Sequence, residues 1–326
     1  MNQFFENVRK QRILVIGDIM LDCYLFGSAN RLSPEAPVPV VELEKEEYRL
    51  GGAANVAANI ASLGADVVLS GVVGHNYGDQ LDPVLRKHEI SPHYLVFTKD
   101  RPTTTKTRVV VNNHHVARID REVAEPISKE HRDALLELLK PRVEYCSAVI
   151  VSDYAKGVVS STLLREVAQM CFAHDKPMVI DPKPKNKEAY SIFKSLKYLP
   201  QIILTPNKSE VYQLVGFSAN TDLVDAVYSL MNMLACYQLA ITLGKEGVFV
   251  YDFPKGLQEM LPTVAQHVFD VTGAGDTLIA ALTLGIACGM DLLSAAKVAN
   301  VAAGIAVEEF GTVAVTLKEL GKRIGA

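Results

Sequence analysis

The chain has 326 residues, 49% of them hydrophobic and 21% charged, which suits a globular protein with one or two domains. A net charge of -4 and the absence of Trp argue against a nucleic-acid partner, because such partners favour basic surfaces and aromatic side chains for base stacking. The five cysteines lack CxxC spacing and no apolar run could span a bilayer, so we expect a reduced, cytoplasmic protein without disulfides, zinc or a membrane partner.

The first predicted element is a strand at residues 12–17, a short apolar run that ends in glycine. Such a run is typical of a strand buried on both faces of a parallel sheet. Asp18 and Asp22 follow it at the carboxyl end, where open α/β sheets bind ligands. Their carboxylates suit the hydroxyl groups of a sugar, because each can accept two hydrogen bonds; alternatively, Asp18 only caps a turn.

Two regions predict a small β lid outside the main sheet. Residues 33–43 are rich in proline, which is confined to the edges and ends of strands. Residues 103–120 mix β-branched and charged side chains, which predicts a hairpin with the Asn pair 112–113 near its tip. We therefore expect a lid built from parts of residues 19–50 and 100–121, whose exposed apolar face pairs with a second subunit in a homodimer.

The predicted hairpin carries three basic residues, Lys106, Arg108 and Arg118. Charged residues on a strand usually form a solvated face. The alternative is a wall that binds an anion, since Lys and Arg side chains pair well with phosphate groups. Both interpretations are open from the hairpin alone.

Gly51 and Gly52 open an alanine-rich stretch that predicts a helix over residues 51–61. Glycines let a ligand approach the backbone closely, and Asn55 in the first turn can both donate to and accept from a hydroxyl group. A strand at residues 66–73 and a helix at residues 77–88 are predicted next.

The middle of the chain alternates strands and helices with short linkers, which predicts a doubly wound, mostly parallel α/β sheet with helices on both faces. The helices are predicted at 129–139 and 161–173, and the strands at 148–151, 178–180, 202–204 and 239–243. Polar residues follow each strand: Asp153 and Lys156, Asp181 and Lys183, Asn207 and Glu210, Thr242 and Gly244. Four such groups at one edge of a sheet indicate the rim of an active site.

The segment 270–276, Asp-Val-Thr-Gly-Ala-Gly-Asp, predicts a tight turn that opens a buried helix. Free backbone N–H groups and the positive end of the helix dipole at such a start would bind an anion. Asp276 would accept the proton of a hydroxyl group that attacks a phosphoryl group, or would merely satisfy first-turn N–H groups. Two helices rich in Ala and Gly are predicted within residues 278–307, where Asn300 is an amide in an otherwise apolar stretch.

Two common nucleotide-binding motifs are absent from the sequence. Neither the P-loop pattern GxxxxGK[ST] nor a GxGxxG after a strand occurs. What remains is an anion site with an adjacent base, together with carboxamide and carboxylate groups suited to Mg²⁺. Phosphoryl transfer needs these parts.

Three motifs, in this order, resemble those of the ribokinase/PfkB sugar kinases: Gly-Gly-Ala-Ala-Asn at 51–55, Asn-Lys-Ser-Glu at 207–210, and the segment 270–276. The resemblance implies a ribokinase-like kinase domain over residues 1–326, with ATP and Mg²⁺ as cofactors and a sugar hydroxyl as the acceptor. Further stretches resemble the heptose 7-phosphate kinases within that family, and these are residues 17–22, 33–41, 152–157 and 181–183.

The narrower resemblance implies phosphorylation of the 1-hydroxyl group of D-glycero-D-manno-heptose 7-phosphate by ATP, in a lipopolysaccharide precursor pathway. In many bacteria such kinases are fused to an adenylyltransferase domain, and this chain resembles a stand-alone form. Two alternatives stay open: a kinase for another sugar or sugar phosphate, and a non-catalytic sugar or nucleotide sensor on the same fold.

The resemblance also implies roles for the candidate site residues. Asp276 would be the base, and the backbone N–H groups of Gly273, Ala274 and Gly275 would stabilise the developing charge. The sugar phosphate would be bound by Asp18, Asp22, Gly51, Gly52, Asn55, Lys106, Arg108, Arg118, Asp153 and Lys156. The nucleotide would be bordered by Lys183, Asn207, Glu210, Thr242, Gly244 and Asn300.

The resemblance further implies a group of basic residues that binds the substrate's phosphate and two sites for metal cations. The substrate's phosphate group would be bound by several of the basic residues, including Lys183. Asn207 and Glu210 would arrange Mg²⁺ through water. Asp270 and Thr272 would offer carbonyl oxygens to K⁺, but Ala314 and Val315 stand where polar residues are expected, which leaves the K⁺ dependence open.

Overall fold

The computed structural model describes residues 2–75, 78–112 and 114–325. Its main sheet contains β1 (Arg12–Gly17), β4 (Asp66–Gly74), β5 (Leu95–Thr98), β8 (Ala148–Ser152), β9 (Met178–Asp181), β10 (Ile202–Leu204), β11 (Gln238–Thr242), β12 (Val248–Asp252) and β13 (Leu257–Leu261). The strand order is β13-β12-β11-β10-β9-β8-β1-β4-β5. The pairs from β11 to β5 are parallel, and β12 and β13 extend one edge in antiparallel fashion.

The central parallel strands end side by side at one edge of the sheet. Gly17 of β1 pairs with Ser152 of β8, which pairs in turn with Asp181 of β9. Both β1 and β8 are buried along almost their whole length, as strands covered on both faces must be. The predicted α/β class, a mostly parallel doubly wound sheet with helices on both faces, is confirmed.

Helices cover both faces of this sheet. They are α1 (Asn2–Asn7), α2 (Ala53–Ser62), α3 (Gly78–Lys87), α4 (Lys129–Tyr145), α5 (Ser161–Ala173), α6 (Lys187–Tyr190), α7 (Lys208–Val215), α8 (Leu223–Leu234), α9 (Ala274–Ala287), α10 (Leu292–Ala306) and α11 (Leu317–Ile324). The alanine-rich helices α2, α9 and α10 pack in one core, and α4, α5, α7 and α8 pack in a second core on the other face. None of the helices described is long and apolar enough to cross a membrane.

A separate four-stranded sheet consists of β2 (Ile19–Leu32), β3 (Pro39–Gly52), β6 (Thr104–Val111) and β7 (His114–Arg121). The strand order is β3-β2-β6-β7. The first six residues of β2 are buried, whereas its last three and the whole of β7 are exposed. Both segments expected to build the lid therefore lie in this sheet, which we call the lid sheet.

Some details differ from the sequence-based expectation. Residues 33–38 form a connection rather than strands, because the prolines within them have no N–H group for a ladder. Helix α4 continues through Pro141 because Val143 packs in the core with Leu135 and Leu139. The antiparallel strands β12 and β13 were not predicted. Two predicted positions, residues 77 and 113, lie outside the described residues.

Candidate active site

The start of α9 is shaped by Gly273, which caps the helix with a left-handed φ of 81°. A Cβ atom at this position would lie 2.9 Å from Nδ2 of Asn55, so the residue must be glycine for both its conformation and its close contact. The first turn of α9, Ala274 to Asp276, thus follows a tight bend directly beside the start of α2. This is the arrangement expected of an anion site at a helix N-terminus.

Asp276 is buried in that first turn and is held by two side chains from elsewhere in the fold. The amide of Asn55 donates to Oδ2 over 2.7 Å, and the hydroxyl of Tyr154 donates to Oδ1 over 2.6 Å. Burial raises the pKa of Asp276 to about 6, against the lowering effect of these two hydrogen bonds. A carboxylate with such a pKa is ionised at pH 7 and remains a useful proton acceptor.

Lys183 lies between two carboxylates, one at the end of β9 and one in the first turn of α7. Its Nζ atom is 3.0 Å from Asp181 and 2.7 Å from Glu210. Burial opposes the charge on Lys183, but the two carboxylates hold its pKa above its usual value. Burial raises the pKa of Asp181 to about 7, with Lys183 acting in the opposite direction. The group places one firmly charged ammonium beside the Asp276 site.

Asn207 and Glu210 cap α7 reciprocally. The backbone N–H of Glu210 donates to Oδ1 of Asn207 over 2.9 Å, and the backbone N–H of Asn207 donates to Oε2 of Glu210 over 2.8 Å. This capping box fixes both side chains at the sheet edge. Their predicted contact with Mg²⁺ through water stays a prediction.

Two adjoining cavities meet at the start of α9. The smaller, about 100 Å³, is lined by Tyr154, Asp181, Lys183, Thr205, Asn207, Glu210, Thr242, Gly273, Gly275 and Asp276. The larger, about 500 Å³, shares Asn207, Thr242 and Gly275 and continues along apolar side chains such as Val248 and Leu278. Gly244 and Asn300 border this larger cavity, although the amide of Asn300 donates to the carbonyl of Pro262 over 2.8 Å. An apolar cavity beside an anion site suits a nucleotide base and its phosphates.

Asp18 is buried, and its carboxylate accepts hydrogen bonds from three backbone N–H groups of the loop after β8. The donors are Tyr154 at 2.8 Å, Lys156 at 3.0 Å and Val158 at 3.2 Å. Burial raises the pKa of Asp18 despite these donors. In this structure Asp18 anchors the loop, and its predicted contact with a sugar hydroxyl stays a prediction.

Asp153, at the start of the same loop, is likewise occupied by protein donors. Its carboxylate accepts from the N–H of Ala155 over 2.6 Å, from the amide of Asn186 over 2.8 Å, and from the hydroxyl of Tyr190. Burial, followed by the nearby charge of Asp18, raises the pKa of Asp153 to about 6. The two aspartates together fix residues 153–158, so a direct contact of Asp153 with substrate also stays a prediction.

Asp22 on β2 faces Arg108 on β6 across the lid sheet, with 2.6 Å between carboxylate and guanidinium. A Cβ atom at Gly51 would lie 3.0 Å from Oδ2 of Asp22, so the glycine keeps the space beside the carboxylate open. Gly52 caps α2 with a φ of 55°, which brings Asn55 in the first turn to the site.

The basic residues predicted to bind phosphate do not all lie together. Lys106 and Lys156 meet at Glu122, with distances of 3.6 Å and 2.7 Å. Arg118 is largely exposed and pairs with Asp120 over 2.9 Å on its own strand. Lys183 pairs with other carboxylates, those of Asp181 and Glu210.

Two site residues were missed at the level of the sequence. Tyr154 was part of a quoted motif but had no assigned role, although its hydroxyl reaches Asp276. Arg101, just before β6, donates to the carbonyls of Val123 and Glu125, just after β7, and to that of Lys156 in the loop after β8. Its partners are backbone carbonyls far away in sequence, which no motif marks. The only local signal for Tyr154 was its place between Asp153 and Lys156.

The loop near residue 311 adjoins the turn before α9. The carboxylate of Asp270 accepts from the N–H and hydroxyl of Thr272 and from the N–H of Gly311. Arg49 donates to the carbonyl of Phe310 over 2.7 Å. The hydroxyl of Thr312 is buried and has no hydrogen-bond partner among the residues described. An oxygen left in this state is suited to a bound cation.

The chain matches the pfkB family of carbohydrate kinases over residues 10–319 and belongs to that family, so it is a phosphotransferase acting on a sugar hydroxyl. Ribokinase from Arabidopsis thaliana, solved with ribose and ATP, shares the fold with a TM-score of 0.74 and 20% identity, over 97% of this chain and 99% of that one. Phosphofructokinase-2 from Escherichia coli, solved with potassium, gives a TM-score of 0.75 and 18% identity, over 97% and 98%.

Relatives with much higher identity carry the name bifunctional protein HldE. The protein from Citrifermentans bemidjiense is 40% identical over 326 residues, which is 99% of this chain and 65% of that protein. The protein from Helicobacter pylori is 38% identical over 314 residues, 95% of this chain and 65% of that protein. The chain therefore spans somewhat less than two thirds of the length of these relatives.

Proposed function

We propose that this protein is an ATP-dependent kinase that phosphorylates the 1-hydroxyl group of D-glycero-D-manno-heptose 7-phosphate to the 1,7-bisphosphate, a lipopolysaccharide precursor. The observation that carries the chemistry is Asp276, a buried carboxylate held by two donors at the positive end of α9. The choice of sugar is supported by the heptose-kinase motifs at residues 152–157 and 181–183 and by the similarity to HldE proteins over nearly the whole chain.

In the proposed reaction Asp276 accepts the proton of the attacking 1-hydroxyl group. The first-turn N–H groups of α9 stabilise the negative charge on the transferred phosphoryl group, because they and the helix dipole point at it. Lys183, which also lines the small cavity, neutralises further charge on the phosphates. The reaction then needs only that the two substrates lie in line across this cavity.

Mg²⁺, when bound with ATP, neutralises phosphate charge, and Asn207 and Glu210 would hold it through water. The side chains fit such an indirect role, because both oxygens of Glu210 already have partners. Among the described residues, no group of three His, Cys, Asp or Glu side chains could hold a metal directly. The buried hydroxyl of Thr312, beside Gly311 and the Asp270 carboxylate, fits a K⁺ ion at the second predicted cation site.

The substrate's 7-phosphate would be bound by Arg108, Lys106 and Lys156, which lie on the side of the site near Asp22. In the structure these three side chains pair with the carboxylates of Asp22 and Glu122. We propose that the substrate's phosphate replaces these carboxylates as their partner. Arg108 can bind a phosphate with two parallel hydrogen bonds, and the lysines act as point charges.

Arg108→Ala and Lys156→Ala are each expected to raise the KM for the sugar phosphate about tenfold or more, because each removes a charge-assisted hydrogen bond. The KM for ATP should change little. Initial rates at varied sugar phosphate and at varied ATP measure both constants. Arg86→Ala, which removes an exposed arginine on α3, is the control and should leave both constants unchanged. An unchanged KM for the sugar phosphate in both site variants would refute this phosphate site.

The substrate is tested by Mg²⁺-dependent release of ADP from ATP with four sugars: D-glycero-D-manno-heptose 7-phosphate, fructose 6-phosphate, fructose and ribose. A strong preference for the heptose phosphate supports the proposal. Turnover of another sugar alone would keep the kinase and overturn the substrate. No turnover of any of them would favour a sensor on this fold.

The lid sheet carries exposed apolar side chains, and we propose that it pairs with the lid of a second copy. Leu32, Leu43, Val116 and Ile119 are each more than half exposed on its strands. Light scattering at micromolar concentration is expected to give twice the mass of the chain, and Leu43→Lys with Ile119→Lys to give a single mass, because charges would be buried at the interface. Tyr145→Lys, on α4, is the control and should stay dimeric. A single-chain mass for the unchanged protein would refute the dimer.

A further inference from the structure

We propose that Tyr154 is the positioning residue for the catalytic base: its hydroxyl group orients the carboxylate of Asp276 and favours its ionised form. This inference rests on the proposed role of Asp276 as the base. Neither the family match nor the names of the relatives assigns a role to Tyr154. The hydroxyl donates to Oδ1 over 2.6 Å while Asn55 donates to Oδ2 over 2.7 Å, so each carboxylate oxygen has one neutral donor.

The backbone that carries Tyr154 is held in one arrangement. The N–H groups of Tyr154, Lys156 and Val158 all donate to Asp18, which is itself buried at the end of β1. Gly157 has a φ of 89°, and a Cβ atom there would lie only 1.9 Å from the carbonyl oxygen of Glu125. The loop therefore cannot easily shift, and the Tyr154 ring is presented to Asp276 from a fixed base.

Tyr154 is suited to act as a donor throughout the working pH range. Burial, together with the charge of Asp276, raises the pKa of its hydroxyl well above its usual value. The ring also lies under the ammonium of Lys183, with 5.3 Å from Nζ to the ring centroid. One side chain thus contacts both the base and the cation that lines the phosphate cavity.

The other groups that act on Asp276 would be unchanged when the hydroxyl is removed. Lys183, from the loop after β9, favours the ionised carboxylate, and Asp22, from β2, opposes it. Asp181 lies behind Lys183 and interacts with Asp276 as a like charge. Asn55 of α2 is neutral. Tyr154→Phe therefore isolates a single hydrogen bond to the base.

Tyr154→Phe is expected to raise the acid limb of the pH profile of kcat/KM by about one pH unit, because a donor to the charged form of Asp276 is lost. The plateau kcat should fall by about ten- to hundredfold, because the carboxylate is less well oriented. The matched control is Tyr212→Phe, which removes a hydroxyl that donates to the carbonyl of Thr221. It should leave both the acid limb and the plateau unchanged.

A second measurement separates this inference from the proposed function. The ¹³Cγ signal of Asp276, assigned by its loss in Asp276→Asn, is titrated by NMR without any substrate. The midpoint should rise in Tyr154→Phe by as much as the acid limb does and stay constant in Tyr212→Phe. An unchanged midpoint in Tyr154→Phe would overturn the inference even if the kinase activity is confirmed. A raised midpoint would support the role of Tyr154 even if the ADP-release assay with the four sugars refutes the proposed substrate.

Discussion

Asp276→Asn is expected to lower kcat by about 10²- to 10⁴-fold and to leave a folded protein with a higher melting temperature. The activity is lost because an amide cannot accept the proton of the attacking hydroxyl group. The fold is kept because Asn has the same shape, and Asn55 can turn its amide to accept from the new one. Rates with ATP and the sugar phosphate, and calorimetric melting at several pH values, measure both effects.

The gain in stability should depend on pH with a defined sign. The folded pKa of Asp276, about 6, lies above its unfolded value, so the native state holds this proton more tightly. The stability that the protonated carboxyl group contributes is fully present below the unfolded pKa and is lost as the pH rises through about 6. Above that pH the buried, ionised group costs roughly 3 kcal/mol. The variant should therefore gain most over the unchanged protein at pH 8 and least near pH 4.

Asp291→Asn is the matched control for this experiment. Asp291 caps α10 by accepting from the N–H of Ser294 over 2.9 Å, and Asn caps a helix about as well as Asp. The control should keep its kcat, and it should not show the same pH-dependent gain in melting temperature. If Asp276→Asn retained most of its kcat, Asp276 would not be the catalytic base. If the variant melted lower than the unchanged protein at pH 8, burial would not destabilise the ionised carboxylate.

The fold class and the sheet edge at which the candidate site residues lie were predictable because they follow from local patterns. Short apolar runs ending in polar residues mark strands of a parallel sheet and their shared edge, and the structure places Asp153, Asp181 and Asn207 there as expected. The glycine turn before α9 was predictable for the same reason, since Gly273 needs its left-handed φ. These features require only the chain on either side of them.

The hydrogen-bond and ion-pair partners of the site residues were not predictable, because they come from segments that are distant in the sequence. The carboxylate of Asp18, for example, accepts from N–H groups more than 130 residues away in the sequence, and the residues around Asp18 do not indicate these partners. The three basic residues considered for the lid sheet, Lys106, Arg108 and Arg118, each have a carboxylate partner in the structure. The strands β12 and β13 were missed because nothing in their sequences indicates that they add to the edge of the parallel sheet.

Lys183→Met is expected to destabilise the protein by about 3 kcal/mol and to lower kcat/KM by at least a hundredfold. Its removal leaves Asp181 and Glu210 as close, largely buried carboxylates without their cation, and breaking a buried ion pair in this way is strongly destabilising. In the proposed reaction, the same change also removes the positive charge that faces the transferred phosphoryl group. Urea unfolding and initial rates measure the two losses separately. Lys297→Met, which breaks an exposed pair with Glu259, is the control and should change stability by less than about 0.5 kcal/mol.

A second substitution shows whether the loss of activity follows from the loss of stability. Lys183→Met combined with Asp181→Asn removes one of the two unpaired charges and leaves Glu210 and its capping box with Asn207 in place. The double variant should regain part of the stability in urea, because one buried charge fewer is left unpaired. Its activity should stay low, because no cation faces the phosphates. Recovery of activity together with stability would mean that Lys183 only supports the fold, and the chemistry would then rest on Asp276 and the start of α9.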